Sequence, residues 1–254
     1  MKIDFHIHSE YSFDSLMKIE RIIDIGKKKG LNGLAITDHG SVKGGLEGEK
    51  LGKNRGIVVI PGIEVVTDEC EILGLFLNEG LKSRTALDTI DEVRRQGGIS
   101  VIAHPFKRGR KIGNSLLETA DGIEGFNSRC SYSENRSARK IAAEYNLPMT
   151  AGSDAHFYCE IGRAQCIIEK ADNLDDIRRA VVRRETRMMG TQSCLYVEPL
   201  SQIIRAFKTN KPEVMFRNVI FGSMAISYQR LKQKLNDILQ KEEHECTSNR
   251  RRSR

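Results

Sequence analysis

Two histidines near the start of the chain have the spacing of a metal-binding pair. His6 and His8 lie in the segment MKIDFHIHSEYSFDS, which has the character of a β-strand around residues 3–7. Because successive side chains of a strand point to opposite faces, residues i and i+2 point to the same side. The two imidazoles can therefore bind one ion together, and the spacing predicts a metal site at the end of this strand.

Three further histidines follow or end short apolar runs, and carboxylates accompany them. His39 lies in TDHG, His104 in AHPF and His156 in SDAH. The acids in comparable positions are Asp14, Glu64, Glu71 and Asp154. Imidazole and carboxylate groups suit zinc, manganese or iron, and catalytic metal sites leave a position open for water. A single histidine at a strand end is usually structural, but five of them beside acids or each other predict a metal centre.

The elements that must position these residues alternate between strand and helix. Short apolar runs, such as residues 33–36 and 57–60, alternate with segments of helical periodicity, such as residues 19–29 and 86–96. About seven strands fit before Asp154, which favours an α/β fold with parallel strands in a closed or nearly closed barrel. The strand ends of such a barrel open onto one face, where distant residues meet. The five histidines are therefore expected to converge.

Composition and cysteine usage limit the class of protein. The chain has 254 residues, 39% of them apolar, which is enough for a buried core. No export signal is visible, and the longest apolar stretch, around residues 219–227, is shorter than the roughly 20 residues that span a bilayer. The six cysteines include no CxxC pair and are expected to be reduced thiols. These features predict a cytoplasmic protein that does not enter membranes.

The positive charge is concentrated at the end of the chain. Residues 200–254 contain twelve Lys or Arg and five Asp or Glu, which accounts for the whole net charge of +7. We expect a barrel domain over residues 1–199 and a basic helical C-terminal extension over residues 200–254. In the extension, helices are predicted over residues 200–207 and 213–241, with a disordered, arginine-rich end. The extension either increases solubility or binds nucleic acid through its charge.

The ordered motifs resemble those of a known family. DFHIHSEYS, AITDHG, IPGIEV, AHPF and GSDAH resemble the polymerase and histidinol phosphatase (PHP) family over about residues 1–196. The resemblance implies a distorted seven-stranded (β/α)7 barrel of PHP type and a cluster of two or three divalent ions (Mn, Zn or Fe). The matching ligand positions are His6, His8, Asp14, His39, Glu64, Glu71, His104, Asp154 and His156. Glu71 replaces a histidine of many members and Asp14 replaces a histidine of some, which favours the harder ions manganese or iron without excluding zinc.

Such a cluster suits phosphoester hydrolysis. Bound metals lower the pKa of water and hold phosphate oxygens, so we expect a metal-dependent phosphoesterase that uses a metal-activated hydroxide on a phosphate monoester or diester of a small metabolite or nucleotide. The resemblance implies that Glu64 bridges two ions. His104, Asp154 and His156 are expected to orient water or protonate the leaving oxygen. Two alternatives stay open: an exonuclease acting on RNA or DNA ends, and a non-catalytic regulatory module. The oligomeric state also stays open.

Further residues are candidates for contacts around the ligands. Arg129 in FNSRCS and Arg163 in IGRAQ are predicted to bind substrate phosphate, with the KRGRK cluster at residues 107–111 as a weaker candidate. Asp4 and Asp38 are predicted to orient ligating imidazoles, although Asp38 equally suits a turn cap. The glycine-rich segment GSVKGGLEG does not match a phosphate-binding loop and is expected to form a flexible rim of the site.

Overall fold

A computed structural model describes residues 1–211, 219–220, 223–224 and 227. The chain divides into two compact units, Met1–Ser193 and Cys194–Arg254. The strands of the first unit are β1 (Lys2–Ile7), β2 (Gly33–Ile36), β3 (Val58–Val66), β4 (Glu71–Leu75), β5 (Ile99–Ile102), β6 (Gly122–Asn127), β7 (Met149–Gly152), β8 (Ala164–Ile167) and β9 (Arg187–Gly190). Its helices are α1 (Ile19–Lys28), α2 (Lys43–Arg55), α3 (Ala86–Arg95), α4 (Asn114–Thr119), α5 (Tyr132–Glu144) and α6 (Leu174–Val182). The second unit contains α7 (Val197–Lys208).

The strands form one sheet that curls into a nearly closed barrel. Their order is β7-β6-β5-β4-β3-β2-β1-β8-β9. β1, β2 and β3 pair in parallel, as do β5, β6 and β7, whereas β4 is antiparallel to both of its neighbours. A parallel bridge between Ile7 and Ala155 joins the end of β1 to the chain just after β7. This bridge brings the two ends of the β1 to β7 arc together.

The predicted α/β architecture is confirmed, but the predicted count of seven strands is wrong. Seven strands do precede Asp154, and two more follow it: β8 returns antiparallel along β1, and β9 pairs antiparallel with β8. A short segment after Val66 connects β3 to β4 without a helix, so the alternation of strand and helix is interrupted there. The alternation of strands and helices along the sequence does not indicate these antiparallel pairings, because they depend on which strands lie side by side in the folded chain.

β1 contributes to two core clusters. It is buried from Ile3 onwards, and Ile3 and Phe5 share a cluster with Ile60. The register of β1 shifts between Asp4 and Ile7, and Ile7 lies in a second cluster with Ile22 and Ile23 of α1. Apolar burial on both sides of the strand therefore holds the segment that carries His6.

The glycine-rich segment forms the start of a packed helix, so the expectation of a flexible rim was wrong. Gly44, Gly45, Gly48 and Gly52 are all buried in α2. A Cβ atom at Gly45 would lie 2.7 Å from the Cα of Pro61, and one at Gly48 would lie 2.7 Å from the Cδ1 of Ile36. The glycines let α2 approach β2 and β3 more closely than any larger residue would allow.

Within the described residues, no helix has the length and apolar character needed to cross a membrane. In the second unit, α7 covers the region of the first helix predicted for the extension. Almost all of the second predicted helix, over residues 213–241, and the whole of the predicted disordered end lie outside the described residues. The proposed domain boundary at residue 199 and the basic helical character of the extension remain predictions.

Replacing Gly45 by alanine is expected to destabilise the barrel. The new methyl group would lie 2.7 Å from the Cα of Pro61 and 2.8 Å from the backbone N of Gly62, and neither backbone atom can move without disturbing β3. Overpacking of this kind lowers the free energy of unfolding by about 1–3 kcal/mol. Urea denaturation followed by circular dichroism measures the change.

Gly80→Ala is the matched control for this substitution. No atom lies within 4 Å of a Cβ at Gly80, and its φ angle is outside the left-handed region. Its free energy of unfolding should stay within about 0.5 kcal/mol of the unsubstituted protein. Equal stabilities of the two variants would contradict the close packing of α2 on β3.

Candidate metal centre

All nine predicted ligands meet at one end of the barrel. Their donor atoms form four overlapping groups, in each of which the atoms lie within 4.8 Å of one another. The groups are His8, Asp14, His39 and His156; His6, His104 and Asp154; His6, His8 and Glu64; and Glu64, Glu71 and His104. The predicted convergence of five histidines and four carboxylates is therefore present in the structure.

The fold explains how residues so far apart in sequence reach one place. His6 lies in β1, and His39, His104 and Asp154 follow β2, β5 and β7, whose carboxyl ends share one edge. Glu71 reaches the same edge for a different reason: it is the first residue of β4, which runs antiparallel to β3 and so begins where β3 ends.

Glu64 lies at the centre of the cluster. Its Oε2 atom is 3.4 Å from the Nε2 of His6, 3.3 Å from the Nε2 of His8 and 3.1 Å from the Nδ1 of His39. Its Oε1 atom is 3.1 Å from the Nε2 of His104. One carboxylate therefore faces four imidazoles, which is the placement that a bridging ligand requires.

The group that contains Asp14 lies beside Glu64. The Oδ2 atom of Asp14 is 3.1 Å from the Nε2 of His156 and 3.3 Å from the Nε2 of His39. The Nδ1 atom of His156 donates to the backbone carbonyl of Asp154 at 2.9 Å, which leaves Nε2 as the acceptor atom. These contacts direct two imidazole nitrogens and one carboxylate oxygen towards a common point.

Two of the ligands have left-handed backbone conformations. The φ angle is 27° at His104 and 53° at Asp154. Non-glycine residues adopt positive φ angles at a cost of about 1–3 kcal/mol each, and such strain concentrates at functional sites. The hydrogen bond from the His104 backbone N–H to the Oε2 atom of Glu124, at 2.9 Å, holds one of these residues in place.

Glu124 contacts the predicted ligands, and sequence reasoning missed it. The buried carboxylate accepts from the Nδ1 atom of His6 at 3.1 Å and from the Nδ2 atom of Asn127 at 2.8 Å, in addition to the His104 backbone. It thereby fixes the tautomer of His6, whose Nε2 atom is left as the ligand. A Cβ atom at Gly152 would lie 2.6 Å from the Oε1 atom of Glu124, so the neighbouring strand must carry glycine here. The acid within the otherwise apolar segment GIEGF, at residues 122–126, was the available signal.

A second relay orients His8 from the other side of the cluster. The Nδ1 atom of His8 lies 2.9 Å from the Oγ atom of Ser12, which in turn donates to the Oδ1 atom of Asp38 at 3.0 Å. The same serine oxygen accepts from the backbone N–H of His39 at 3.0 Å. Asp38 therefore reaches His8 and His39 through Ser12, and its orienting role remains a prediction. Asp4 instead accepts from the backbone N–H groups of His6, Ser153 and Gly162.

The carboxylates of the cluster favour positive charge beside them. Burial opposes charge on His6, yet the nearby carboxylates Glu64, Glu124 and Asp154 raise its pKa well above the ordinary value. Burial, together with His156 and His39, lowers the pKa of His8 to about 3. The Nε2 atoms of His6 and His8 are only 3.0 Å apart, so a proton on one of them or a cation bound to both would relieve the repulsion between their lone pairs.

Unpartnered polar atoms show that a divalent metal fits this role. Among the described residues, the buried Oδ1 atom of Asp14 makes no hydrogen bond, and the Nδ1 atoms of His39 and His104 face the carboxylates of Glu64 and Glu71 at 3.1 and 3.4 Å without hydrogen-bond geometry. Burying such atoms without a partner costs about 1–3 kcal/mol each, which metal coordination would offset. The donor set of imidazole nitrogen and carboxylate oxygen is the one that zinc, manganese and iron bind.

The two arginines predicted to bind substrate have protein partners. The Nε atom of Arg129 donates to the Oε1 atom of Glu160 at 2.9 Å, and its Nη2 atom donates to Oε2 at 2.7 Å. Glu160 also accepts from the backbone N–H of His156 at 3.0 Å, so this buried pair supports the segment that carries a ligand. Arg163 donates to the carbonyl oxygen of Gln192 at 3.0 Å. Their contact with substrate remains a prediction.

Replacing Glu124 by glutamine is expected to weaken metal binding. The amide keeps the shape of the side chain but removes the negative charge beside the Nδ1–H group of His6. Loss of such a carboxylate partner of a ligating histidine typically costs 10–100-fold in metal affinity. Titration of the metal-free protein with Mn²⁺, followed by electron paramagnetic resonance of the free ion, measures the affinity. Glu118→Gln, at an exposed position on α4, should bind as the unsubstituted protein does. Equal affinity of both variants would refute the orienting role of Glu124.

Comparison with known proteins finds similar sequences and a related family model. The family model PHP_C, described as PHP-associated, matches residues 133–186. The uncharacterized protein MJ1587 of Methanocaldococcus jannaschii is 39% identical over 141 residues, which cover 50% of this chain and 82% of that protein. The PolC-type DNA polymerase III of Streptococcus pneumoniae is 39% identical over 75 residues, or 28% of this chain and 5% of the polymerase.

Two further similarities concern phosphoesterases. The phosphoribosyl 1,2-cyclic phosphate 1,2-diphosphodiesterase of Eggerthella lenta is 33% identical over 90 residues, which cover 33% of this chain and 34% of that protein. A crystal structure from Bacteroides vulgatus, of a two-domain protein containing a predicted PHP-like metal-dependent phosphoesterase, superposes with a TM-score of 0.66 and 21% identity. That match covers 75% of this chain and 65% of the other and shows a common fold. Taken with the ordered ligand motifs, these matches show that the chain belongs to the PHP family.

Proposed function

We propose that this protein is a metal-dependent phosphoesterase. The observation that carries the proposal is the meeting of five histidines and four carboxylates in overlapping groups around Glu64. Because Glu64 takes part in two of these groups, its two oxygens can hold neighbouring ions at a fixed separation. This arrangement supports two or three divalent ions, with manganese, iron or zinc as the candidates.

The residues of the chain hold and orient the reacting groups. Divalent ions bound there would supply a water molecule of lowered pKa and positive charge facing the phosphate oxygens. Glu64, His104, Asp154 and His156 are the proposed catalytic residues, and each contributes a donor atom to at least one of the groups. Their positions are fixed by Glu124, by the carbonyl of Asp154 and by the barrel backbone, so little reorganisation is needed during the reaction.

The relatives support the general kind of reaction and leave the substrate open. The relative from Eggerthella lenta is named as a diphosphodiesterase, and the fold neighbour from Bacteroides vulgatus is described as phosphoesterase-like. We propose a phosphorylated small metabolite or nucleotide as the substrate. Binding of nucleic acid through the basic residues 200–254 is a further proposal, which rests on the charge of that segment alone.

Replacing Asp154 by asparagine is expected to reduce phosphatase activity by more than about 100-fold. The change removes an anionic ligand, and removing even a hydrogen-bond partner of a ligand typically costs 10–100-fold. The rate of p-nitrophenyl phosphate hydrolysis with Mn²⁺, and the metal content of the purified protein, test the prediction. Asp91→Asn, on the exposed side of α3, should retain both. An unchanged rate in the Asp154 variant would refute the proposed catalytic centre.

A substrate panel separates this proposal from its alternatives. Sugar phosphates, nucleotides and short oligonucleotides would each be incubated with the full chain and Mn²⁺, before and after chelation with EDTA. Release of phosphate from small substrates supports the proposal, and stepwise shortening of oligonucleotides from one end would replace it with an exonuclease. Tight metal binding without turnover of any phosphoester would contradict both.

A further inference from the structure

Two basic side chains reach the ligands from the loop that follows His104. The Nζ atom of Lys107 lies 3.0 Å from the Oδ2 atom of Asp154, and the Nη1 atom of Arg110 lies 3.0 Å from the Oε2 atom of Glu71. Both carboxylates belong to groups that also contain His104. The two cations therefore flank the part of the metal centre around His104.

We propose that Lys107 and Arg110 bind the phosphate of the substrate, and that this substrate is a phosphate monoester. The inference rests on the proposed phosphoesterase function and deepens it by naming a substrate class. Sequence reasoning favoured Arg129 and Arg163 for this role and gave the KRGRK cluster less weight.

Exposure favours the loop residues over Arg129. The side chains of Lys107 and Arg110 are 17% and 31% exposed, so an anion in solution can reach them. The Arg129 side chain is 3% exposed and forms a two-point ion pair with Glu160. Breaking that buried pair to bind a substrate would leave a buried carboxylate without its partner.

The backbone of the loop is anchored on both sides of the two cations. The Lys107 N–H donates to the carbonyl oxygen of His104 at 3.0 Å, which folds the chain back over the ligand. The Arg108 N–H donates to the Oε1 atom of Glu134 at 2.9 Å, and Glu134 also forms the capping box of α5. The loop is thereby tied to the metal centre at one end and to a helix terminus at its tip.

Metal binding would make the two cations available to a phosphate. Once Asp154 and Glu71 share their negative charge with divalent ions, they attract Lys107 and Arg110 less strongly, because the net charge near each carboxylate becomes positive. Long, flexible side chains can then turn from the carboxylate towards an anion beside it. Arginine can hold two phosphate oxygens in its planar fork, and lysine acts as a point charge.

The number of free phosphate oxygens favours a monoester. A phosphate monoester has three free oxygens and carries close to two negative charges at neutral pH, because its second pKa is about 6. A diester has two free oxygens and one negative charge, with a second organic group in place of the third oxygen. Beside bound divalent ions, a monoester can still offer an oxygen to Lys107 or Arg110, whereas a diester would place its organic group there.

The test compares two substrates in variants that remove the charges. Lys107→Met and Arg110→Met keep an unbranched apolar stem but lose the cation, and the full chain would be assayed with Mn²⁺ on p-nitrophenyl phosphate and bis-p-nitrophenyl phosphate. Each substitution is expected to raise KM for the monoester about tenfold, as loss of one charge-assisted hydrogen bond does, while KM for the diester changes less than about threefold. Binding of inorganic phosphate to the metal-loaded protein, measured by calorimetry, should weaken to the same extent as monoester binding.

Matched variants separate a substrate contact from a structural role. Lys140→Met and Arg136→Met, at exposed positions on α5, should behave as the unsubstituted protein. Lys107→Arg keeps the charge and should restore most of the monoester binding. Metal content should be equal in all variants, because neither cation is a ligand. A lower metal content, with both substrates affected equally, would show that the loop residues only support the ligands and would overturn the inference.

The outcomes also distinguish failure of this inference from failure of the proposed function. Turnover of monoester with an unchanged KM in both loop variants would overturn the inference and leave the phosphoesterase standing. If the metal-loaded protein hydrolyses neither substrate, the proposed function fails, and phosphate binding by the same variants still decides whether Lys107 and Arg110 form an anion site.

Discussion

The structure depends on one constraint: a dense set of buried carboxylates at one end of the barrel needs compensating positive charge, from protonated imidazoles, basic side chains or bound cations. Glu64 faces four imidazoles within 3.4 Å, and the two Nε2 atoms of the HxH pair are 3.0 Å apart. Protons satisfy part of this requirement, as the raised pKa of His6 and the pKa of His39 near 9 indicate. Divalent ions would satisfy it more completely, since they would also use the nitrogen and oxygen atoms that make no hydrogen bond among the described residues.

Buried side chains of the barrel hold the ligands in place through hydrogen bonds. Glu124 connects His6, the strained His104 and Asn127, while Ser12 connects His8, His39 and Asp38. Glycines are required where these supports pass closest to the backbone: a Cβ at Gly152 would meet the Cβ of His6 at 2.2 Å, and one at Gly44 would meet the Oδ2 atom of Asp38 at 2.1 Å. Rigid support of this kind keeps ligand atoms in place for an ion and for the substrate that the ion would hold.

Much of the fold and most of the centre could be predicted from local sequence patterns. The alternation of apolar runs with helical segments indicated a nearly closed α/β barrel, and all nine predicted ligands lie in the cluster. The prediction failed where pairing is not local. β8 and β9 were not counted because short runs such as AQCI and RMMG acquire their roles only by lying beside β1 and each other. The glycine-rich segment was misjudged because its glycines allow α2 to contact Ile36 and Pro61. These residues lie on other elements of the fold, so the segment alone does not reveal the contacts.

The sequence by itself determined which chemical groups are available and that they follow strands, because side-chain type and strand periodicity are local properties. Only the tertiary structure decided which groups meet. In the folded chain Arg129 pairs with Glu160. Lys107 lies beside Asp154, and Arg110 lies beside Glu71. The carboxylate of Glu124 likewise lies within hydrogen-bond distance of the Nδ1 atom of His6. These contacts depend on distances across the barrel, which follow from the order and direction of the strands. The spacing of residues along the chain does not specify those distances.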